Sequence, residues 1–320
     1  MLLLLLLPLF CSVKAASLRA LVTSSPSLTA LVYGTLDSET GQFRRTADWS
    51  AFGASIGGHV WAAGPGGTTA VVTLFLNQDV NWVYLFDAQG RPLHNFSSPL
   101  VFCTLEYSPA AQAFMTVTIV NKAMNAAQLG WAPPFVTPRV GFDSRFYQQE
   151  LGVSAMDHSS STLYLFATSD SSQQTFLFAV SAASFSILRQ MPCSIAPLAT
   201  EYYNGTLLAL VQGARLFSAV FCSSHFFFFS AAWNATTGAV WLEVHQVQAA
   251  TGSSSLLAAL SPGWPATLSA SAVGADGTFF LGLGNAGDPP SVWRVASVSP
   301  SGAVTYSEPF LTPVLSLLPE

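Results

Sequence analysis

Apolar, β-branched and aromatic residues come in short runs of four to eight, separated by small polar residues. The runs fall at 71–76, 82–86, 114–120, 162–166, 175–180, 207–211 and 279–283. Between them stand clusters of Gly, Ser, Asn, Asp and Pro, the residues that end strands and build turns. Helix signals are scarce. A solvated helix face needs Lys and Glu, which are few here, while Gly and Pro number 23 and 19. One short helical turn is expected at 144–151. The pattern as a whole predicts an all-β protein.

The strands recur as hairpins with a common turn. Asp37 leads to Gly41, Asp87 to Gly90, Asn234 to Gly238 and Ser299 to Gly302, each between two apolar runs. Residues 181–185 occupy an equivalent slot without the glycine. In such turns the Asp, Asn or Ser side chain folds onto the backbone, and glycine takes a positive φ. Gly41 to Gly90 is 49 residues and Gly90 to Gly238 is 148, close to three times as many. Gly238 to Gly302 is 64, which places an insertion in the last unit, at 253–267. A unit near fifty residues built of about four short strands has the dimensions of a propeller blade.

These hairpins resemble those of β-propellers of the quinoprotein-like and WD-like kind, over most of the chain. The resemblance implies about six four-stranded blades, with a strand pair at 28–43 completing the blade that 304–318 begins. Such closure removes exposed sheet edges. There is no Trp-Asp dipeptide, no di-glycine before each blade (Gly57-Gly58 and Gly66-Gly67 do not recur) and no Ser-x-Asp-x-Gly-x-x-Trp box, so no family's functional residues are carried over. A pair of β-sandwiches is the alternative fold.

Composition narrows the class. The chain has 320 residues, 51% hydrophobic and 8% charged, with a mean hydropathy of +0.45. Ordinary soluble domains carry about 25% charge, so neither a disordered tail nor an exposed coiled coil fits. Eleven basic and sixteen acidic residues give −5, and no basic cluster exceeds Arg44-Arg45. Nucleic-acid binding needs a basic stripe and is excluded as an expectation.

Residues 1–15 read as a cleaved secretory signal: a leucine run, then Val13 and Ala15 at the positions where signal peptidase prefers small side chains. A single propeller-like domain at 16–320 follows. Secretion makes Asn95, Asn204 and Asn234, each in an Asn-x-Ser/Thr triplet, candidate glycosylation sites. Of the cysteines left after cleavage, Cys193 and Cys222 are the preferred disulfide pair and Cys103 is left over. The 215–233 stretch, with Arg215, His225 and several serines among its phenylalanines, reads as two buried strands rather than a membrane span.

Motifs of chemical appearance dissolve in context. Gly282, Gly284 and Gly287 match G-x-G-x-x-G, but Pro289 and Pro290 follow where a phosphate-binding helix would begin. Gly53, Ser55 and Gly57 match a nucleophile elbow in a chain without alternating helices. His59, His94, His158, His225 and His245 show no metal-ligand spacing, so neither metal nor cofactor is expected. The most polar segment holds Arg139, Asp143, Arg145, Tyr147, Glu150, Asp157 and His158, and is the candidate binding loop. The expected function is a secreted binding or structural module that contacts a protein or glycan through blade loops. The alternative is a secreted carbohydrate-active hydrolase or lyase with a carboxylate site at the propeller axis.

Overall fold

The computed structural model describes residues 16–319 except 24–30, 51–55, 76–79, 121–122, 144–145, 148–153, 170, 205, 213–241, 263, 265 and 286–291. Its strands form six antiparallel sheets, the blades of a β-propeller. Blade 1 contains β1 (Ser17–Thr23), β2 (Leu31–Asp37) and β3 (Phe43–Asp48). Blade 2 contains β4 (Ile56–Ala63), β5 (Thr69–Phe75), β6 (Asn81–Phe86) and β7 (Pro92–Ser98). In blade 3 a broken inner strand, β8 (Val101–Phe102) and β9 (Glu106–Ser108), precedes β10 (Ala113–Val120), β11 (Ala123–Leu129) and β12 (Val136–Gly141). Blade 4 repeats that arrangement with β13 (Phe146–Tyr147), β14 (Ser154–Asp157), β15 (Thr162–Ser169), β16 (Thr175–Ser181) and β17 (Ser186–Cys193). Blade 5 is β18 (Pro197–Tyr203), β19 (Thr206–Gln212), β20 (Leu242–Gln248) and β21 (Ser254–Leu260). Blade 6 is β22 (Ala266–Val273), β23 (Phe279–Asn285), β24 (Trp293–Val298) and β25 (Val304–Tyr306). Finally β26 (Val314–Pro319) returns to blade 1 and pairs with β1, from Leu18 opposite Pro319 to Val22 opposite Val314. Strands β26, β4, β9, β14, β18 and β22 neighbour one another in a ring around the axis.

The ring is thus closed by the C-terminal segment, as expected, although only β26 crosses the seam; β25 belongs to blade 6. Six buried apolar clusters fill the interfaces between successive blades. Between blades 1 and 2, Trp49 stacks on Tyr33 at 4.6 Å and on Phe86 at 3.8 Å, and its indole N–H donates to the Gly90 carbonyl at 2.8 Å. That bond satisfies the polar atom of the buried indole.

Gly41, Gly90 and Gly302 take positive φ in the turns before the outer strands, as the hairpin pattern predicts. In the 181–185 slot the residue at positive φ is Phe185. In blade 5 the position belongs to Gly252, 50 residues before Gly302. The expected insertion at 253–267 is therefore wrong: 254–260 is the outer strand of blade 5 and leads directly into blade 6. The Asn234–Gly238 hairpin and the two strands expected within 215–233 lie outside the described residues, as do 1–15. The helical turn expected at 144–151 is also corrected, because Phe146 and Tyr147 form β13 and pair with Ser169 and Thr168. Of the G-x-G-x-x-G match, Gly282 and Gly284 lie inside strand β23. Among the described residues no helix is long and apolar enough to cross a membrane.

Candidate active site at the propeller axis

Two glutamates stand on inner strands, Glu106 on β9 and Glu201 on β18. Each lies two residues before the last pair of its hairpin, Ser108 with Ala113 and Tyr203 with Thr206. Each is followed by tyrosine, and each reaches round the ring to the inner strand of the next blade. Ser154 Oγ on β14 donates to Glu106 Oε1 at 3.0 Å, and Ser271 Oγ on β22 donates to Glu201 Oε1 at 2.9 Å. Both residues are half-buried and keep some contact with solvent, yet protein crowds their carboxyl groups on all sides. Burial therefore works against ionisation. It pushes Glu106 up to about 8, helped by the charge of Glu201 and opposed by the Ser154 hydrogen bond. It pushes Glu201 up to about 7, against the pull of Ser271.

The turn aspartates behave in the opposite way. Asp37 accepts main-chain bonds from Glu39 and Thr40, and Asp87 from Gln89 and Arg91; both are held below the usual carboxylate range. Those carboxylates build hairpins, whereas Glu106 and Glu201 have no backbone donor to hold them ionised.

Of the seven residues of the polar segment, His158 comes to the same rim. It follows β14, and its ring hydrogen-bonds the Tyr107 main chain, next to Glu106. The ring is exposed on its outer side, but the protein behind it disfavours the imidazolium and lowers its pKa, against the pull of Asp157. Asp157 is buried, with Ser159 and Ser160 hydroxyls bonded to it at 2.6 and 2.5 Å, a turn-building role. Arg139 lies on outer strand β12, bonded to Gln128 and laid over Phe185 at 4.7 Å, away from the axis. Asp143 is exposed in the link from β12 to β13. Arg145, Glu150 and the side chain of Tyr147 lie outside the described residues. The described part of the segment is therefore dispersed around blades 3 and 4, and among its described residues only His158 stands beside Glu106.

Glu106 and Glu201 escaped sequence reasoning because neither sits in a polar cluster. The available signal was the Glu-Tyr pair at 106–107 and 201–202, 95 residues apart, or two blade lengths. Asn95 is exposed on β7 and Asn204 is exposed in the β18–β19 turn, while Asn234 lies outside the described residues. Cys103 and Cys193 are buried free thiols, Cys103 pushed up to about 12 by burial. The expected Cys193–Cys222 disulfide is thus not formed at Cys193, whose Sγ donates to the Gly252 carbonyl at 3.5 Å; Cys222 lies outside the described residues. Among the described residues no three His, Cys, Asp or Glu side chains gather as a metal site.

No family model matches the chain, and no curated protein matches it in sequence. Solved structures do match in shape. A chain of a nidogen/laminin complex superposes with a TM-score of 0.55 at 9% identity, covering 95% of this chain and 98% of that one. A protein from Lactobacillus plantarum gives 0.54 at 11% identity, covering 95% and 99%. A putative 6-phosphogluconolactonase from Bacteroides fragilis gives 0.52 at 12% identity, covering 96% and 98%. At such identities the likeness carries the fold alone: this chain is a six-bladed β-propeller.

Proposed function

We propose that the protein is a secreted, carbohydrate-active hydrolase whose acid–base pair is Glu106 and Glu201. The observation that carries this reading is the pair itself: two inner-strand carboxyl groups, each held by a serine of the next blade and raised towards neutrality by burial, Glu106 further by the charge of Glu201. Near pH 7 to 8 such a pair holds Glu106 protonated while Glu201 is ionised, the division of labour that hydrolysis of a glycoside or sugar ester needs. Glu106 protonates the departing oxygen; Glu201 takes a proton from the attacking water. Ser154 and Ser271 hold the carboxyl groups in place, and His158 adds a neutral imidazole at the mouth. The Bacteroides fragilis neighbour, described as a putative 6-phosphogluconolactonase, makes sugar-ester hydrolysis one chemistry to test. A phosphorylated substrate calls for clustered cations, which a chain with 11 basic residues does not assemble in sequence, so a neutral sugar is the better candidate.

The test is a panel of chromogenic glycosides and sugar lactones given to the purified protein. Glu106→Gln and Glu201→Gln should each lower kcat by about 10²–10⁴-fold while the fold persists. The pH–rate profile should rise as Glu201 ionises near 7 and fall as Glu106 loses its proton near 8. Full activity in both variants would overturn the assignment. A second reading, a binding module without catalysis, is favoured by Ile187 and Leu188 on β17 and Leu256 on β21, exposed at 41%, 53% and 56% on neighbouring outer strands. A wild type that binds glycans or proteins and hydrolyses nothing in the panel would decide for it. Sequencing the mature N-terminus tests secretion, since cleavage after Ala15 predicts a start at Ala16.

A further inference from the structure

The two kinds of connection in each blade separate the rims. The Asp/Gly turns and the hairpins beside Glu106 and Glu201 share one rim. The links between blades, and those joining second to third strands, share the other. On that second rim, at the seam of blades 5 and 6, Trp264 lies in the link from β21 to β22, and Arg294 is the second residue of β24. Both are half-buried. The guanidinium carbon of Arg294 sits 4.4 Å from the centroid of the Trp264 ring, a cation–π stack. Among the described residues, Arg294 Nε and Trp264 Nε1 are buried with no hydrogen-bond partner. No ion pair joins Arg294 to a carboxylate among the described residues. Tyr306 is the third member. Its hydroxyl oxygen accepts from the Ser261 N–H at 3.1 Å, which leaves its own proton for an outside acceptor, and the charge of Arg294 is felt at its phenol.

A sunken guanidinium without an acid is unusual, because desolvating a charge costs far more than an exposed pair returns. Here it comes with an indole N–H that has no acceptor among the described residues and a phenol whose proton is left to donate. The missing chemistry is an acceptor with two or more oxygens, and the flat fork of a guanidinium matches a planar carboxylate edge to edge. We propose that Arg294, Trp264 and Tyr306 form an anion site on the blade 5–6 rim that takes the carboxylate of a small ligand. Arg294 and Trp264 are each partly exposed at this rim, so a ligand approaches the outer part of the stack, while Nε and Nε1 lie beneath the surface. The site stands apart from the axial glutamates and does not depend on their being catalytic.

The probes are D-glucuronate, its uncharged relative D-glucose, and inorganic phosphate, titrated calorimetrically into the full chain at low ionic strength and followed also by the thermal midpoint. Glucuronate should bind saturably and raise the midpoint, because it stabilises only the folded state. Arg294→Met should weaken it by about tenfold or more, and Arg294→Lys, which keeps charge but loses the fork, should weaken it nearly as much. Arg45→Met, which removes an exposed guanidinium from blade 1, should leave it unchanged. If Arg294→Met does not fold, Arg294→Lys carries the comparison. Absence of glucuronate binding, equal binding of glucose, or wild-type affinity in the Arg294 variants overturns the site. Phosphate binding as tight as glucuronate overturns the assignment to carboxylate.

Discussion

Carboxyl groups in this protein are governed by their donors. Asp37 and Asp87, ringed by turn N–H groups, favour the ionised form, while Glu106 and Glu201 favour the protonated one. The sign for stability follows. A glutamate raised from 4.5 to about 7 or 8 on folding binds a proton in the native state over that window and loses it in the unfolded state. The stabilisation is complete below pH 4.5 and lost as pH rises through 7 and 8. The turn aspartates act oppositely, below the ordinary carboxylate value of 3.8. The thermal midpoint should therefore fall between pH 5 and pH 9, and Glu106→Gln, neutral at every pH, should flatten that fall when measured by circular dichroism. An unchanged slope in the variant would mean that Glu106 ionises freely in the fold. The residue scale was also where the sequence was least legible. His158 stood out beside Asp157, but a lone glutamate in an apolar neighbourhood carries no mark that it faces an axis. That placement is set by strands some 95 residues apart.

Strands explain what could be read and what could not. All seven apolar runs seen in the sequence proved to be second or third strands of their blades, β5, β6, β10, β15, β16, β19 and β23. Those strands are packed between neighbouring blades on both faces, so they read as continuous apolar stretches. Outer strands such as β7 and β17 are exposed along most of their length and merge with loops in sequence. Inner strands mix serine, glutamate and small residues and show no clean period. The turn glycines, Gly90 and Gly302 legible in the sequence and Gly252 missed there in favour of Gly238, do more than make the turn. A Cβ on Gly90 would come within 2.6 Å of Ala47 Cβ and 3.3 Å of Trp49 Nε1 in blade 1. One on Gly302 would come within 2.5 Å of the Leu257 carbonyl in blade 5, and one on Gly252 within 2.9 Å of the Pro192 carbonyl in blade 4. In blades 2, 5 and 6 the glycine thus lets the blade touch its predecessor. At Gly90, φ is +76°, so Gly90→Ala adds backbone strain to that clash and should cost about 2 kcal/mol or more in urea unfolding. A cost of a few tenths would mean the blade 1–2 contact yields easily.

For the whole molecule, closure is the decisive contact. Without β26, β1 would face the axis as an unpaired edge, and blades 1 and 6 would lose Val314 and Leu317 from the buried cluster they share. Truncation before Val314 should therefore abolish the single cooperative unfolding transition and shift the protein to larger species in size-exclusion chromatography. A truncated chain that stays monomeric with one sharp transition would show that the other five interfaces suffice. The same seam has a consequence in time. Strand β3 ends at Asp48 and β26 begins at Val314, so 265 residues must be made between them. At roughly 5–20 residues per second, the first blade waits on the order of 15–50 s for its innermost strand. Throughout synthesis the first blade of the ring to be made is the last to be finished, and the nascent chain carries an open β-edge that a crowded compartment would have to shield.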